Sequence, residues 1–213
     1  MRNWLLQKLT RKKLSTFLAD KGSDDVTLEV GSAFRPQRHL FPAVISGDIL
    51  FYPQMDVQFD AHNLPFADKA FSMIVCIEVL EHCHTPQQVI NEFYRLLKDE
   101  GQLLLSTRFI FPIHDAPHDY YRYTKYGLQH LMKDFSSVDI QEEAHSVVTV
   151  GVLLQRLAYQ VDWYIPLTKI FLLFIAKILP LFQKTIKKEY GDIRKSTEEQ
   201  TILSSGYYIK AIK

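Results

Sequence analysis

The sequence predicts an α/β fold built on a mainly parallel sheet, and three observations carry that prediction. Short apolar runs recur at residues 26–30, 43–48, 56–60, 72–77 and 102–107. The run at 72–77 is apolar almost throughout, as a strand covered on both faces is. A helical pattern separates the last two runs, and strands alternating with helical or loop segments indicate parallel βαβ units.

Each element has a local reason. Residues 3–19 place Trp4, Leu5, Leu9, Phe17 and Leu18 among basic residues at helical spacing, which predicts an N-terminal amphipathic helix within residues 1–22. Residues 21–25 form a turn, and Gly31 stops the first strand. Thr85-Pro86 opens a helix with proline in its first turn. Its apolar face is Val89, Ile90, Phe93, Leu96 and Leu97, and Gly101 is expected to close it. A further helix is predicted over 124–135. The sixth strand falls at 138–143 or 146–150, and a terminal strand at 206–212. The expected organisation is a core over 23–150, an apolar helical insertion over 151–200, and the last strand within 201–213.

Length and composition set bounds. A chain of 213 residues with 47% hydrophobic and 23% charged residues can bury a core and is not disordered. A formal charge of +1 gives no field that would recruit nucleic acid. The two cysteines, Cys76 and Cys83, match no zinc pattern and predict a reducing compartment. The basic Arg11-Lys12-Lys13 interrupts the first apolar residues too early for a signal peptide, so the expected location is the cytoplasm.

In an open α/β sheet ligands bind beyond the carboxyl ends of the strands, so candidate site residues follow the apolar runs. Glu29-Val30-Gly31-Ser32-Ala33 follows the first, where a glycine lets backbone pass close to a ligand. Asp48 and Ile49 follow the second, with an acid placed to accept from ribose hydroxyls. Asp60-Ala61 follows the third, and Ile77-Glu78 the fourth.

Residues 60–82 order these features in a specific way: an acid, Leu64-Pro65-Phe66, the apolar run, then Glu78-Val79-Leu80-Glu81-His82. With Asn91 to Lys98 and Gly101, this order resembles the class I S-adenosylmethionine-dependent methyltransferases of the "type 11" kind, over roughly residues 26–135. The resemblance implies a Rossmann-like sheet of seven strands with the last antiparallel, helices on both faces, a helical insertion before that last strand, and S-adenosylmethionine as cofactor. It implies that Glu29 and the loop Gly31, Ser32 and Ala33 contact the methionine part. Asp48 with Ile49 would take the ribose, Asp60 with Ala61 the adenine, and Ile77 with Glu78 the methyl-donor region. The loop departs from the family's G-x-G-x-G, reading Gly31-Ser32-Ala33-Phe34-Arg35. The segment from His114 to Thr124 is similar to one in members associated with glycan biosynthesis.

A hydroxyl acceptor benefits from a general base, and candidates cluster at Glu81, His82, His114, Asp115, His118 and Asp119, with His82, His114, His118 and Asp119 expected to be catalytic. A His–Asp pair from this set would hold an imidazole in one tautomer. The expected reaction is methyl transfer to a small-molecule or glycan-type acceptor, most readily at oxygen. Two other readings stay open: a cofactor-free scaffold, suggested by Ala33 and Arg35, and a metal-dependent hydrolase using the loop from His114 to His118. No metal is assigned. Tyr120, Tyr121 and Tyr123 either stack on a sugar or belong to the core.

Residues 163–182 are exceptionally apolar, but Lys169, Lys177, Pro166 and Pro180 argue against a simple span. With Lys184, Lys187 and Lys188 following, 163–188 reads either as a pocket-covering or dimer-forming insertion or as a peripheral contact with the inner face of a membrane.

Overall fold

The structure is a computed structural model, and it describes residues 2–19, 25–33 and 37–213. Residues 34–36, with Arg35 of the departing loop, and most of the turn at 21–25 lie outside the described residues. The chain divides into two compact units. One comprises Met1–Lys13, Phe109–Ile113 and Glu142–Gly206; the other comprises Leu14–Arg108, His114–Gln141 and Tyr207–Lys213.

In chain order the elements are α1 (Arg2–Leu6), α2 (Leu14–Ala19), β1 (Thr27–Val30), β2 (Val44–Asp48), β3 (Val57–Gln58) and β4 (Phe71–Ile77). Then follow α3 (Pro86–Leu96), β5 (Leu97–Arg108), α4 (Lys125–Leu131), β6 (Ser137–Glu142), α5 (Ser146–Gln160) and α6 (Pro166–Ile178). A short hairpin, β7 (Glu189–Tyr190) with β8 (Glu198–Glu199), precedes β9 (Gly206–Ile212). The single N-terminal helix expected over 3–19 is two short helices, broken where Arg11 takes φ 60°. The segment 146–150 is the first turn of α5, not a strand. Its β-branched residues join a helix because Ser146, Thr149 and Val152 recur at helical spacing as buried positions.

The sheet has seven strands in the order β3-β2-β1-β4-β5-β9-β6. The strands β3, β2, β1, β4 and β5 pair in parallel. The last strand runs antiparallel, with Lys213 N donating to Gly101 O and Ser136 N donating to Ile212 O. The Rossmann-like fold class read from the sequence is thus the observed one. Met73, Ile74, Val75 and Cys76 are all buried, so both faces of β4 are covered. On the Met73 and Val75 side, Phe17 and Leu18 of α2 pack with Phe41, Leu104 and Tyr208, and the Phe17 and Tyr208 rings stack 5.2 Å apart.

α3 buries Val89, Ile90, Phe93 and Leu96, as its pattern requires. Gly101 does not close it: the helix ends at Leu96, and Gly101 sits within β5. The register passes from Phe71↔Leu97 to Met73↔Gln102, so residues between bulge out of the ladder.

Candidate active site

Four strand ends meet at one cleft. β1 runs into Gly31, whose φ is +77° and where a Cβ would lie 2.1 Å from Val79 Cγ2. Both the backbone conformation and the close approach require glycine there. The next turn is tied to β2: Gly31 N and Ser32 N donate to Gly47 O, and Ala33 N donates to Asp48 Oδ2 at 3.1 Å. Ala33 itself has φ +45°, a glycine-like conformation carried by an alanine.

Asp48 Oδ1 accepts Leu50 N at 3.2 Å, so the carboxylate is fixed by two backbone donors. Each oxygen keeps a further lone pair. Asp60 Oδ1 accepts His62 N at 2.9 Å and lies 2.6 Å from His62 Nδ1. Partial burial pushes the Asp60 carboxyl up, but the His62 contacts outweigh it and hold the group below its ordinary range. His62 in turn stacks on His84 at 4.1 Å. Glu78, at φ +57°, ends β4, and its carboxylate pairs with the buried Arg108 guanidinium at the end of β5.

Gly31, Ala33, Asp48, Ile49, Asp60, Ala61 and Glu78 all line a single cleft of about 590 Å³. The other three cofactor candidates do not line it. Ile77 is half-buried in the strand. Ser32 is buried with its hydroxyl unpartnered. Glu29 is buried, and its Oε2 accepts Gln37 N at 2.8 Å. Burial pushes its carboxyl up to about 7. Leu50, His62 and Val79 also line the cleft. Sequence reasoning passed over them, although each follows a candidate by one or two positions.

Of the base candidates, His82 and His118 line the cleft, while His114 and Asp119 do not. His82 Nδ1 lies 2.6 Å from the His118 carbonyl. A carbonyl only accepts, so Nδ1 carries the proton and Nε2 is left with its lone pair. Asp115 Oδ2 is 3.9 Å from that Nε2. The His114 backbone N–H donates to Asp119 Oδ2 at 2.9 Å. Asp119 is also gripped by two guanidinium nitrogens of Arg122, at 2.7 and 2.6 Å, which holds its carboxyl down at about 2. His114 Nδ1 is 3.5 Å from Asp119 Oδ2, and burial lowers its pKa.

Behind His82, Glu81 is fully buried, accepts from the Thr107 hydroxyl at 2.8 Å, and has its pKa raised by burial. Ligand-type atoms of Glu81, His82 and His114 lie within 4.8 Å of one another. His118, central to the hydrolase reading, is outside that group. The tyrosines divide: Tyr123 is buried with its hydroxyl on Leu80 O, whereas Tyr120 and Tyr121 are exposed.

Comparison with known proteins agrees with this geometry. Residues 41–105 match a family described as "Methyltransferase domain". That match includes Asp48, Asp60, Glu78 and His82 and leaves out the glycine loop and the His114 segment. The ubiquinone biosynthesis O-methyltransferase of Pseudomonas aeruginosa (strain UCBPP-PA14) is 32% identical over 94 residues, 44% of this chain. The match spans 39% of that relative's length. The 1,6-didemethyltoxoflavin-N1-methyltransferase of Burkholderia thailandensis, solved with S-adenosylhomocysteine, aligns with a TM-score of 0.58 at 14% identity. It covers 99% of this chain and 80% of that one. A putative methyltransferase of Bacillus halodurans aligns at 0.51 with 19% identity, over 95% of this chain and 99% of that one. The [4+2]-cyclase SpnF shares the fold at 0.56 and 16% identity, over 94% of this chain and 80% of that one, so the architecture alone does not dictate the reaction. The sheet order and the aligned structures give the chain the Rossmann-like fold of class I methyltransferases, and residues 41–105 match a methyltransferase domain.

Proposed function

We propose that this chain transfers a methyl group from S-adenosylmethionine to a hydroxyl oxygen of a small-molecule or glycan-type acceptor. The observation that carries the reading is the meeting of Gly31, Asp48, Asp60 and Glu78 at one cleft. The cleft's groups fit the cofactor. Asp48 keeps acceptor lone pairs for ribose hydroxyls after its two backbone bonds, and the exposed Ile49 and Leu50 offer apolar surface to an adenine ring. Asp60 Oδ1 is occupied by His62, which leaves Oδ2 toward a base amino group. Gly31, at φ +77°, lets the backbone turn at the cleft with Val79 packed directly against it.

Bound there, S-adenosylmethionine supplies an electrophilic methyl carbon and a thioether leaving group. The residues of the chain orient and move a proton. His82 Nε2, its lone pair exposed by the Nδ1–His118 bond, takes the proton that an acceptor hydroxyl loses. Asp115 stands 3.9 Å away to favour the imidazolium so formed. Tyr120 and Tyr121, both exposed beside this loop, suit the faces of a ring-bearing acceptor. The choice of oxygen draws support from relatives named as O-methyltransferases, over a partial match.

Calorimetric titration with S-adenosylhomocysteine tests the cofactor half. Saturable binding is expected, and Asp48→Ala is expected to weaken it by about 1.5–3 kcal/mol, the scale of charge-assisted hydrogen bonds. No heat at millimolar ligand would instead support a scaffold. His82→Ala tests the chemical half: it should leave that affinity in place and lower turnover about 10²–10⁴-fold against a screened acceptor. Metal-assisted hydrolysis has one observation in its favour, the proximity of Glu81, His82 and His114. Stoichiometric zinc or manganese in the purified protein would favour that second reading.

A further inference from the structure

Within the unit that holds residues 142–206, α6 is apolar on two opposite sides, and only one of them is used. Its packed side carries the buried Leu173, Ala176 and Lys177. Ala176 shares a small core with Leu9 and Val152 of α5. At Gly151 of α5 a Cβ would lie 2.8 Å from Ala176 O, so glycine lets the two helices close together. Lys177 Nζ reaches across to donate to Gln7 O, which removes its charge from the outer side.

The other side is in water. Leu167, Ile170, Phe171 and Phe174 recur at i, i+3, i+4 and i+7, and Leu181 and Phe182 continue the stripe in the turn after the helix. These six side chains are between 49% and 74% exposed, a contiguous apolar surface of the kind soluble monomers avoid. Within residues 163–188 the charge has one sign. Residues 163–188 contain no aspartate or glutamate, and the exposed Lys184 and Lys187 follow the stripe directly. The neighbouring hairpin tip repeats the combination, with a fully exposed Ile193 beside exposed Arg194 and Lys195.

We propose that this face of α6 and the turn after it dock in the plane of an anionic lipid bilayer. The apolar stripe enters the acyl boundary, and Lys184 and Lys187 meet headgroup phosphates. Residues 166–185 reach 20 residues and hold an 18-residue window of mean hydropathy 1.5, which satisfies the length of a span. The packing decides against crossing. α6 itself has 13 residues, about 20 Å against a hydrocarbon core of about 30 Å, and its second side is committed to α5.

Co-sedimentation of the full chain tests this, with vesicles of phosphatidylcholine alone and of phosphatidylcholine with phosphatidylglycerol. Binding is expected to the anionic vesicles, weakening as salt is raised. Phe171→Ser with Phe174→Ser should reduce partitioning by more than about tenfold. Lys184→Glu with Lys187→Glu should reduce it by roughly 20-fold or more. Both pairs are exposed, so circular dichroism and melting should match the parent. Failure of the folded parent to bind anionic vesicles overturns the proposal, as does binding that both variants leave unchanged. A dimer in light scattering that the phenylalanine variant dissolves, without vesicle binding, also overturns it and assigns the face to a second copy. None of these outcomes depends on cofactor binding.

Discussion

Ala33 concentrates the tension in the cofactor loop. With φ +45° it pays the steric penalty of a left-handed residue, about 1–2 kcal/mol, while its N–H holds Asp48 in place. Replacing it with glycine relieves that strain but adds freedom to the unfolded chain, an opposing effect of about 0.4–1 kcal/mol. Ala33→Gly should therefore raise stability by up to about 1 kcal/mol and keep S-adenosylhomocysteine binding, as thermal melts with and without ligand would show. A fall in stability would mean that the alanine methyl is packed rather than strained. Glu29 makes a second residue-scale prediction. Its carboxyl is pushed from 4.5 up to about 7 in the fold, so its folded state holds the proton more tightly than the unfolded chain does. The associated stability is complete below about 4.5 and is lost as pH rises through about 7. Glu29→Gln should flatten the pH dependence of melting across that window. The gain above it should be about 3.5 kcal/mol at most, from a difference of 2.5 at about 1.4 kcal/mol per pH unit. A melting profile that keeps its slope in the variant would assign the dependence elsewhere.

At the scale of elements, the ends of β4 and β5 are joined by a charge pair. Arg108 is 3% exposed, and its guanidinium meets the Glu78 carboxylate as that residue leaves the strand at positive φ. Removing one member breaks this charge-assisted hydrogen bonding, which costs about 1.5–3 kcal/mol. Arg108→Met should lose stability on that scale in urea denaturation. The double variant with Glu78→Gln should recover part of it, and a strictly additive double variant would show that the pair is not coupled. The pair also explains why Glu78 is legible as a site residue while its partner is not. Glu78 follows an apolar run directly, but nothing near Arg108 in the sequence marks it as reaching back across the sheet. Register has the same character: the bulge after Leu97 moves Gly101 from helix stop to strand interior, and it is set by pairing with Phe71 and Met73.

For the whole molecule, the division into two compact units makes ligand effects local. The cleft residues all belong to the unit that holds the parallel strands. S-adenosylhomocysteine at about 100 times its Kd should add about 2.7 kcal/mol by mass action. Amide exchange should slow at residues 29–33, 46–50 and 58–62 and remain unchanged in α5 and α6. Protection spread equally over both units would contradict a site confined to one of them. The apolar stripe of α6 belongs to the other unit, so lipid binding and cofactor binding should be separable by mutation.

The sequence by itself determined the order of strands and helices from 26 to 135 and the placing of Gly31, Asp48, Asp60 and Glu78 at strand ends. Those features rest on local apolar runs and on residues just beyond them, so they can be read along the chain. Tertiary structure alone decided which imidazole faces the cleft with a free lone pair, because that depends on the His118 carbonyl 36 residues from His82. It also decided that α6 packs by one side only, with Ala176 against Leu9 and Val152. Both are settled by partners far apart in sequence, whose meeting is a property of the packed sheet and helices rather than of any short segment.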